Sequence, residues 1–364
     1  MSFRVPFNDL HLTEESDAVR EAIARVVDHA WFVLGPEVEA FEREFAAASG
    51  AMHAVGVGNG TDAIALILRA LGIGPGDEVI TTPLSAAYTA IAIVMVGARP
   101  VFADIHPERL TLDPGAAERA ITDRTAALLP VHLYGQPADT PAFAALAERR
   151  GLALVEDCCQ AHLATSAGRA VGTFGTAGAF SFYPTKNLGA LGDGGAVITG
   201  DASLAARIAR LRNGGQSDRY RHVEIGVNSR LDEMQAAILR ARLPHLRRRT
   251  DERRASAALY RSLLAGASVD VPPEMDAGHV YHLFPIRAQR REVLQDRLSA
   301  SGVETLVHYP TPIFQQPAFA PSEGVDCPQA VRAANEVLSL PLYPGLSPDA
   351  VTAVAEAVRK ESSS

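Results

Sequence analysis

The chain has 364 residues, with 34 basic against 42 acidic side chains and a formal net charge of −8. No basic surface is on offer to nucleic acid or an anionic membrane. Hydrophobic residues at 47% and charged residues at 21% exclude a disordered chain, and the length predicts about two domains.

No apolar run approaches the ~20 residues of a membrane helix, and residues 1–10 do not read as a signal peptide. Cys158, Cys159 and one further cysteine form neither a disulfide framework nor a zinc spacing, which predicts a cytoplasmic protein. The first 35 residues read as an arm packed on the rest, on the C-terminal domain by expectation. Residues 36–245 read as a large α/β domain and 246–364 as a smaller α+β domain.

In chain order, residues 53–58 predict a strand and 61–71 a helix of apolar positions at helical spacing. Turn chemistry at 72–77 leads into a strand at 78–82, a helix to Val96 and a strand at 100–104. Helix 114–120, strand 126–132, helix 140–150 and strand 152–155 follow, then strands at 179–183 and 196–199. Such alternation predicts a mixed, mainly parallel sheet with its ligand site outside the strand ends. Amphipathic helices are expected at 203–212 and 231–243, the second continuing into Arg247–Arg249 as a solvated face. Beyond these, strand 281–286, helix 291–300, strand 305–309 and helix 328–337 compose the small domain, and the tail around Lys360 is expected to fray.

Of the 34 basic residues 32 are Arg, and the two Lys are Lys186 and Lys360, so lysine chemistry in the folded body has one candidate. Asp157 ends a hydrophobic strand, where ligand sites of open sheets form; alone it could equally be a cap or an ion-pair partner. Lys186 lies on the loop after the Ser181 strand, and alone it could be a surface lysine. Gly58-Asn59-Gly60-Thr61 joins a strand to a helix start and offers bare amides to a phosphate. Together they suit pyridoxal phosphate. Gly60, Thr61 and Ser181 donate to the phosphate, a buried carboxylate keeps the ring nitrogen protonated, and a lysine amine bonds the aldehyde.

Three long runs carry a family resemblance: Glu156-Asp157-Cys-Cys-Gln160-Ala-His162, Ala179-Phe-Ser-Phe-Tyr-Pro-Thr-Lys186-Asn-Leu-Gly and Asn228-Ser-Arg-Leu-Asp-Glu-Met-Gln-Ala-Ala. They resemble the DegT/DnrJ/StrS-type sugar aminotransferases, of the aspartate aminotransferase fold (fold type I), over nearly the whole chain. The resemblance implies that Lys186 bonds the cofactor, that Asp157 pairs with the pyridine nitrogen and that Gln160 lies near the ring hydroxyl. It also implies that Asn228 reaches the phosphate of a neighbouring subunit, which makes a homodimer with shared sites the expected unit. Relatives that dehydrate carry a histidine in place of the lysine, so Lys186 implies transamination. The aromatic residue that usually stacks on the cofactor falls on Ala86; Tyr88, two residues on, either substitutes for it or is a helix core aromatic.

Segments 132–139, 192–195 and 306–310 are most similar to family members acting at carbon 3 of dTDP-linked 3-keto-6-deoxyhexoses, with L-glutamate as amino donor. Tyr183, Tyr220, His308 and Tyr309 are the candidate substrate contacts, and no metal is called for. A 4-keto nucleotide sugar or a keto-cyclitol is the alternative acceptor. A dinucleotide dehydrogenase is disfavoured because Gly56, Gly58 and Gly60 have the wrong spacing. A non-catalytic pyridoxal-phosphate-binding regulator of the same fold would have no need of Lys186.

Overall fold

The computed structural model describes residues 3–12, 14–319 and 324–362. Its centre is a seven-stranded sheet. The strands are β1 (His53–Val57), β2 (Glu78–Thr81), β3 (Arg99–Phe102), β4 (Thr125–Leu129) and β5 (Ala153–Asp157). A small hairpin of β6 (Thr165–Ser166) and β7 (Arg169–Ala170) precedes β8 (Ala177–Ser181) and β9 (Gly195–Thr199). The order is β1-β9-β8-β5-β4-β2-β3. β3, β2, β4, β5 and β8 are parallel, whereas β9 runs antiparallel to both β8 and β1.

β2 and β9 are buried at every residue because helices cover both faces, as a mainly parallel sheet requires. The helices of this part of the chain are α1 (Ser16–His29), α2 (Pro36–Ala48), α3 (Gly60–Ala70), α4 (Tyr88–Met95), α5 (Pro114–Arg119), α6 (Thr140–Arg150) and α7 (Ala202–Leu211), and all but α1 pack on the sheet. Alternate strand residues feed opposite cores. Ala179 and Val197 pack with Ile64, Ile67 and Leu68 of α3, while Phe180 and Ile198 pack with Phe41 and Phe45 of α2.

The strand at 126–132 stops at Leu129, because Pro130 has no N–H to give the ladder. The arm is not a bare strap. Residues 3–12 follow the expectation, with Val5 bridging Val303, but α1 buries Ala22 and Val26 against Ala237 of the large-domain helix α8 (Glu233–Arg242).

The helix expected to run through 243 to 249 is interrupted. A 3-10 turn at Leu243–His245, holding Pro244, separates α8 from α9 (Leu246–Leu263). The C-terminal residues contribute β12 (Phe284–Arg287), α10 (Arg291–Ala300), α11 (Pro328–Glu336), β13 (Val337–Leu340) and α12 (Pro348–Ser362). β12 pairs antiparallel with β13.

Three expectations here fail. Residues 305–309 form no strand, only a bridge from Leu306 to Ser339, and Tyr281 sits at φ 46° ahead of a strand that starts at Phe284. Lys360 lies in α12, which buries Val351, Val354, Ala355 and Val358 in a cluster with Ala257 and Tyr260 of α9. Among the described residues no helix is long and apolar enough to cross a membrane.

Candidate active site

A cavity of about 1040 Å³ opens at the carboxyl ends of β5 and β8, beside the start of α3. It is lined by ten of the residues expected from the sequence: Gly60, Thr61, Tyr88, Asp157, Gln160, Ser181, Tyr183, Lys186, His308 and Tyr309. Tyr220 and Asn228 are exposed and lie outside it in a single copy of the chain. Tyr220 is at φ 67°, on the turn between β10 (Gln216–Asp218) and β11 (Arg221–His222).

One end of the cavity is built by α3. Asn59 caps the helix, its Oδ1 accepting from the Asp62 N–H at 2.9 Å, and the first helical residue is Gly60. A Cβ there would lie 2.7 Å from Cys159 Sγ and 2.8 Å from Ser181 Cβ, so only glycine leaves this cradle open. The free N–H groups of the first turn and the positive end of the helix face the cavity.

Asp157 is the last residue of β5 and 4% exposed. Its Oδ2 accepts from Thr89 Oγ1 at 2.7 Å and its Oδ1 from the Cys159 N–H at 3.1 Å, so the carboxylate is fixed. Behind it, Glu156 accepts the N–H groups of Gly172, Phe174 and Gly175 at 2.8, 2.8 and 3.0 Å and contacts His132 Nε2 at 3.2 Å. His132, Glu156 and Cys158 thus bring ligand-type atoms within 4.8 Å of one another, a grouping that sequence spacing did not show. The Glu156 oxygens there already serve the loop amides.

Lys186 sits in the loop that joins β8 to β9. Desolvation draws its amine below the usual lysine range, with Cys159 and Asp157 acting in the opposite sense. Gln160 is spanned between two partners: its Oε1 accepts the Tyr134 N–H at 2.7 Å and its Nε2 meets the Tyr309 hydroxyl at 3.1 Å. Burial pushes the Tyr309 hydroxyl up to about 12, so it stays a phenol. His308 contacts Ser339 Oγ through Nδ1 at 3.0 Å, and burial, helped by Lys186, lowers it to about 4. Tyr88, 64% exposed, and Ala86 both line the wall.

Sequence reasoning missed Thr89, Cys159, His282 and Arg253, which also line the cavity. Thr89 had a readable signal next to Tyr88; Arg253 had none among 32 arginines.

The donor set fits pyridoxal phosphate: an open helix N-terminus, a fixed carboxylate at a strand end and a desolvated lysine share one cavity. Fold and site together define a pyridoxal-phosphate-dependent aminotransferase of fold type I. The profile of the DegT/DnrJ/EryC1/StrS aminotransferase family matches residues 13–359, and the chain belongs to that family. It is 50% identical, over 98% of this chain and 96% of the relative, to the dTDP-3-amino-3,4,6-trideoxy-alpha-D-glucose transaminase of Streptomyces venezuelae. It is 45% identical, over 98% and 97%, to a UDP-N-acetyl-3-dehydro-alpha-D-glucosamine 3-aminotransferase of Acidithiobacillus ferrooxidans. The crystal structure of S. venezuelae DesV in complex with a ketimine intermediate superposes with a TM-score of 0.95 at 50% identity, covering 99% of this chain and 98% of that one.

Proposed function

We propose that the enzyme moves the amino group of L-glutamate to the carbon-3 keto group of a dTDP-linked 3-keto-6-deoxyhexose, in amino-sugar biosynthesis. The observation that carries this reading is the convergence of Lys186, Asp157 and the α3 N-terminus on one cavity large enough for a sugar. Both named relatives carry carbon 3 in their names, one with dTDP and one with UDP, which supports the carbon more firmly than the nucleotide.

In this reading the Gly60 and Thr61 amides and the Ser181 hydroxyl hold the cofactor phosphate. Asp157, oriented by Thr89 and Cys159, holds a proton at the ring nitrogen. Gln160 faces the ring hydroxyl and Tyr88 replaces the missing aromatic at Ala86. When bound, the cofactor supplies an electron sink for a substrate carbanion. Lys186 Nζ anchors the cofactor covalently and, once released, moves the proton at the reacting carbon; desolvation lowers its basicity and so eases release of that proton. Tyr183, His308 and Tyr309 face the sugar, with His308 kept neutral by burial. One lysine and one cavity serve donor and acceptor in turn, so kinetics are ping-pong.

The working unit is a cytoplasmic homodimer in which Asn228 and Tyr220, both exposed in the single chain, complete the partner's site. The division into arm, large domain (36–245) and small domain (246–364) is supported by the separate apolar cluster that joins α9, α10 and α12.

The test follows the cofactor's absorbance. L-Glutamate alone is expected to shift the band, and a dTDP-3-keto-6-deoxyhexose to restore it with release of a 3-amino sugar. Restoration only by a 4-keto nucleotide sugar moves the chemistry one carbon along. Restoration only by a keto-cyclitol overturns the substrate class.

A further inference from the structure

Arg253 of α9 is 5% exposed, yet it lines the active-site cavity. Its neighbours in the helix are paired, Arg249 with Glu15 and Arg254 with Asp251, whereas no carboxylate among the described residues lies within ion-pair distance of Arg253. Nη1 donates to the carbonyls of Leu342, Tyr281 and His282 at 2.8, 3.2 and 3.3 Å. Nε has no partner, and Nη2 donates to no acceptor among the described residues. A guanidinium desolvated this far without a counter-ion is costly, and three neutral carbonyls on one nitrogen do not neutralise it. They do fix its plane.

The surroundings say where that charge points. His282, whose carbonyl Arg253 holds, contacts Asn187 Oδ1 through Nδ1 at 3.2 Å, and Asn187 follows Lys186 in the chain. The described cavity lining otherwise holds the acids Asp62, Asp157, Asp193 and Glu304, and its other cation is Lys186. His282 and His308 stay neutral through burial. Lys186 is committed to the cofactor in the function proposed above, so within the lining supplied by one chain an anionic substrate group has one fixed cation to meet. Nη2, which meets no acceptor among the described residues, is the nitrogen of this rigid guanidinium that a carboxylate oxygen would meet. A sugar nucleotide's diphosphate is bulkier and would be accommodated nearer the cavity mouth.

We propose that Arg253 receives the side-chain carboxylate of the amino donor, and so selects an amino dicarboxylate for the first half-reaction. The assignment rests on glutamate as donor but not on the identity of the sugar.

Holoenzyme variants test it through the two half-reactions, read separately by cofactor absorbance. Arg253→Lys keeps a cation and donors for the three carbonyls, and is expected to raise the KM for L-glutamate about 10-fold. Arg253→Gln is expected to raise it on the order of 10²-fold. The 3-amino nucleotide sugar, offered in the reverse direction, should keep its KM within about 3-fold in both. An unchanged glutamate KM, or equal losses in both half-reactions, overturns the assignment.

Should neither variant fold, the wild-type holoenzyme decides. Glutarate is expected to bind at least ~10-fold more tightly than its uncharged isostere glutaramide, and equal binding overturns the proposal. A wild-type enzyme that accepts the glutamate amino group but gives it to no nucleotide sugar refutes the sugar reading and leaves Arg253 in place.

Discussion

Asp157 illustrates how much of this site is decided by single atoms. Its two oxygens take one hydroxyl and one backbone N–H, an arrangement that orients the carboxylate without cancelling its charge. Asp157→Asn keeps the shape and removes the charge, so a proton at the ring nitrogen loses its partner. Turnover is expected to fall by about 10²-fold or more, ~3 kcal/mol of barrier, while the cofactor remains bound; near-normal turnover would refute the role. Lys186 is tested by trapping. Borohydride reduction of the holoenzyme should leave the cofactor on the peptide containing Lys186 and none on Lys360, which lies in α12.

At the scale of elements, two buried glutamates, Glu156 and Glu233, hold the frame on which those atoms sit. Glu233, at the start of α8, accepts the N–H groups of Gly35, Glu37 and Val38 at 2.7, 2.9 and 2.9 Å and so caps α2 from across the core. Glu233→Ala would bury three donors without partners, and denaturant unfolding is expected to show a loss of about 3 kcal/mol or more. Gly60→Ala carries a different signature. The added Cβ would strike Cys159 and Ser181, so cofactor affinity should fall at least ~10-fold and the apo-protein should also melt lower, by an overpacking cost of about 1–3 kcal/mol. The helix that Gly60 opens was legible within a residue, because apolar positions recur at helical spacing over 61–71. So were the short strands, whose hydrophobic runs end in turn residues. The 305–309 segment misled because Leu-Val-His-Tyr satisfies strand propensity while its backbone finds only one bridge, to Ser339. The tail misled for the opposite reason: polar residues at 359–364 masked the stripe at Val351, Val354, Ala355 and Val358 that docks on α9. Glu233 and Arg253 could not be found from sequence, since their partners lie far along the chain or are carbonyls that any residue could supply.

For the whole molecule, the exposed positions of Asn228 and Tyr220 set a test of sharing between subunits. Lys186→Ala and Asn228→Ala proteins, each inactive alone, should regain activity when mixed and allowed to exchange subunits; a fully active monomer in sedimentation would exclude the shared site. The buried histidines set a pH dependence. His162 is lowered by burial to about 3 and His308 to about 4, and His279 and His282 are also lowered. Unfolded histidines take up protons near pH ~6.5, so below that the unfolded chain binds more protons than the folded one. Stability is therefore full above about pH 6.5 and falls as acid carries the protein down toward pH 4, and the melting temperature should be lower at pH 5 than at pH 7. The place of β9 in the sheet has a consequence of another kind. β1, made early in synthesis, has β9 as its only sheet neighbour, about 140 residues later. Until β9 leaves the ribosome, the edge of β8 and the whole of β1 stay unpaired. The loop that carries Lys186 joins β8 to β9, so it is held at both ends only once β9 is in place. Cofactor capture is thus a late event in the life of a new chain, and vacant cofactor sites and open strand edges, with their tendency to aggregate, belong to the same unfinished state.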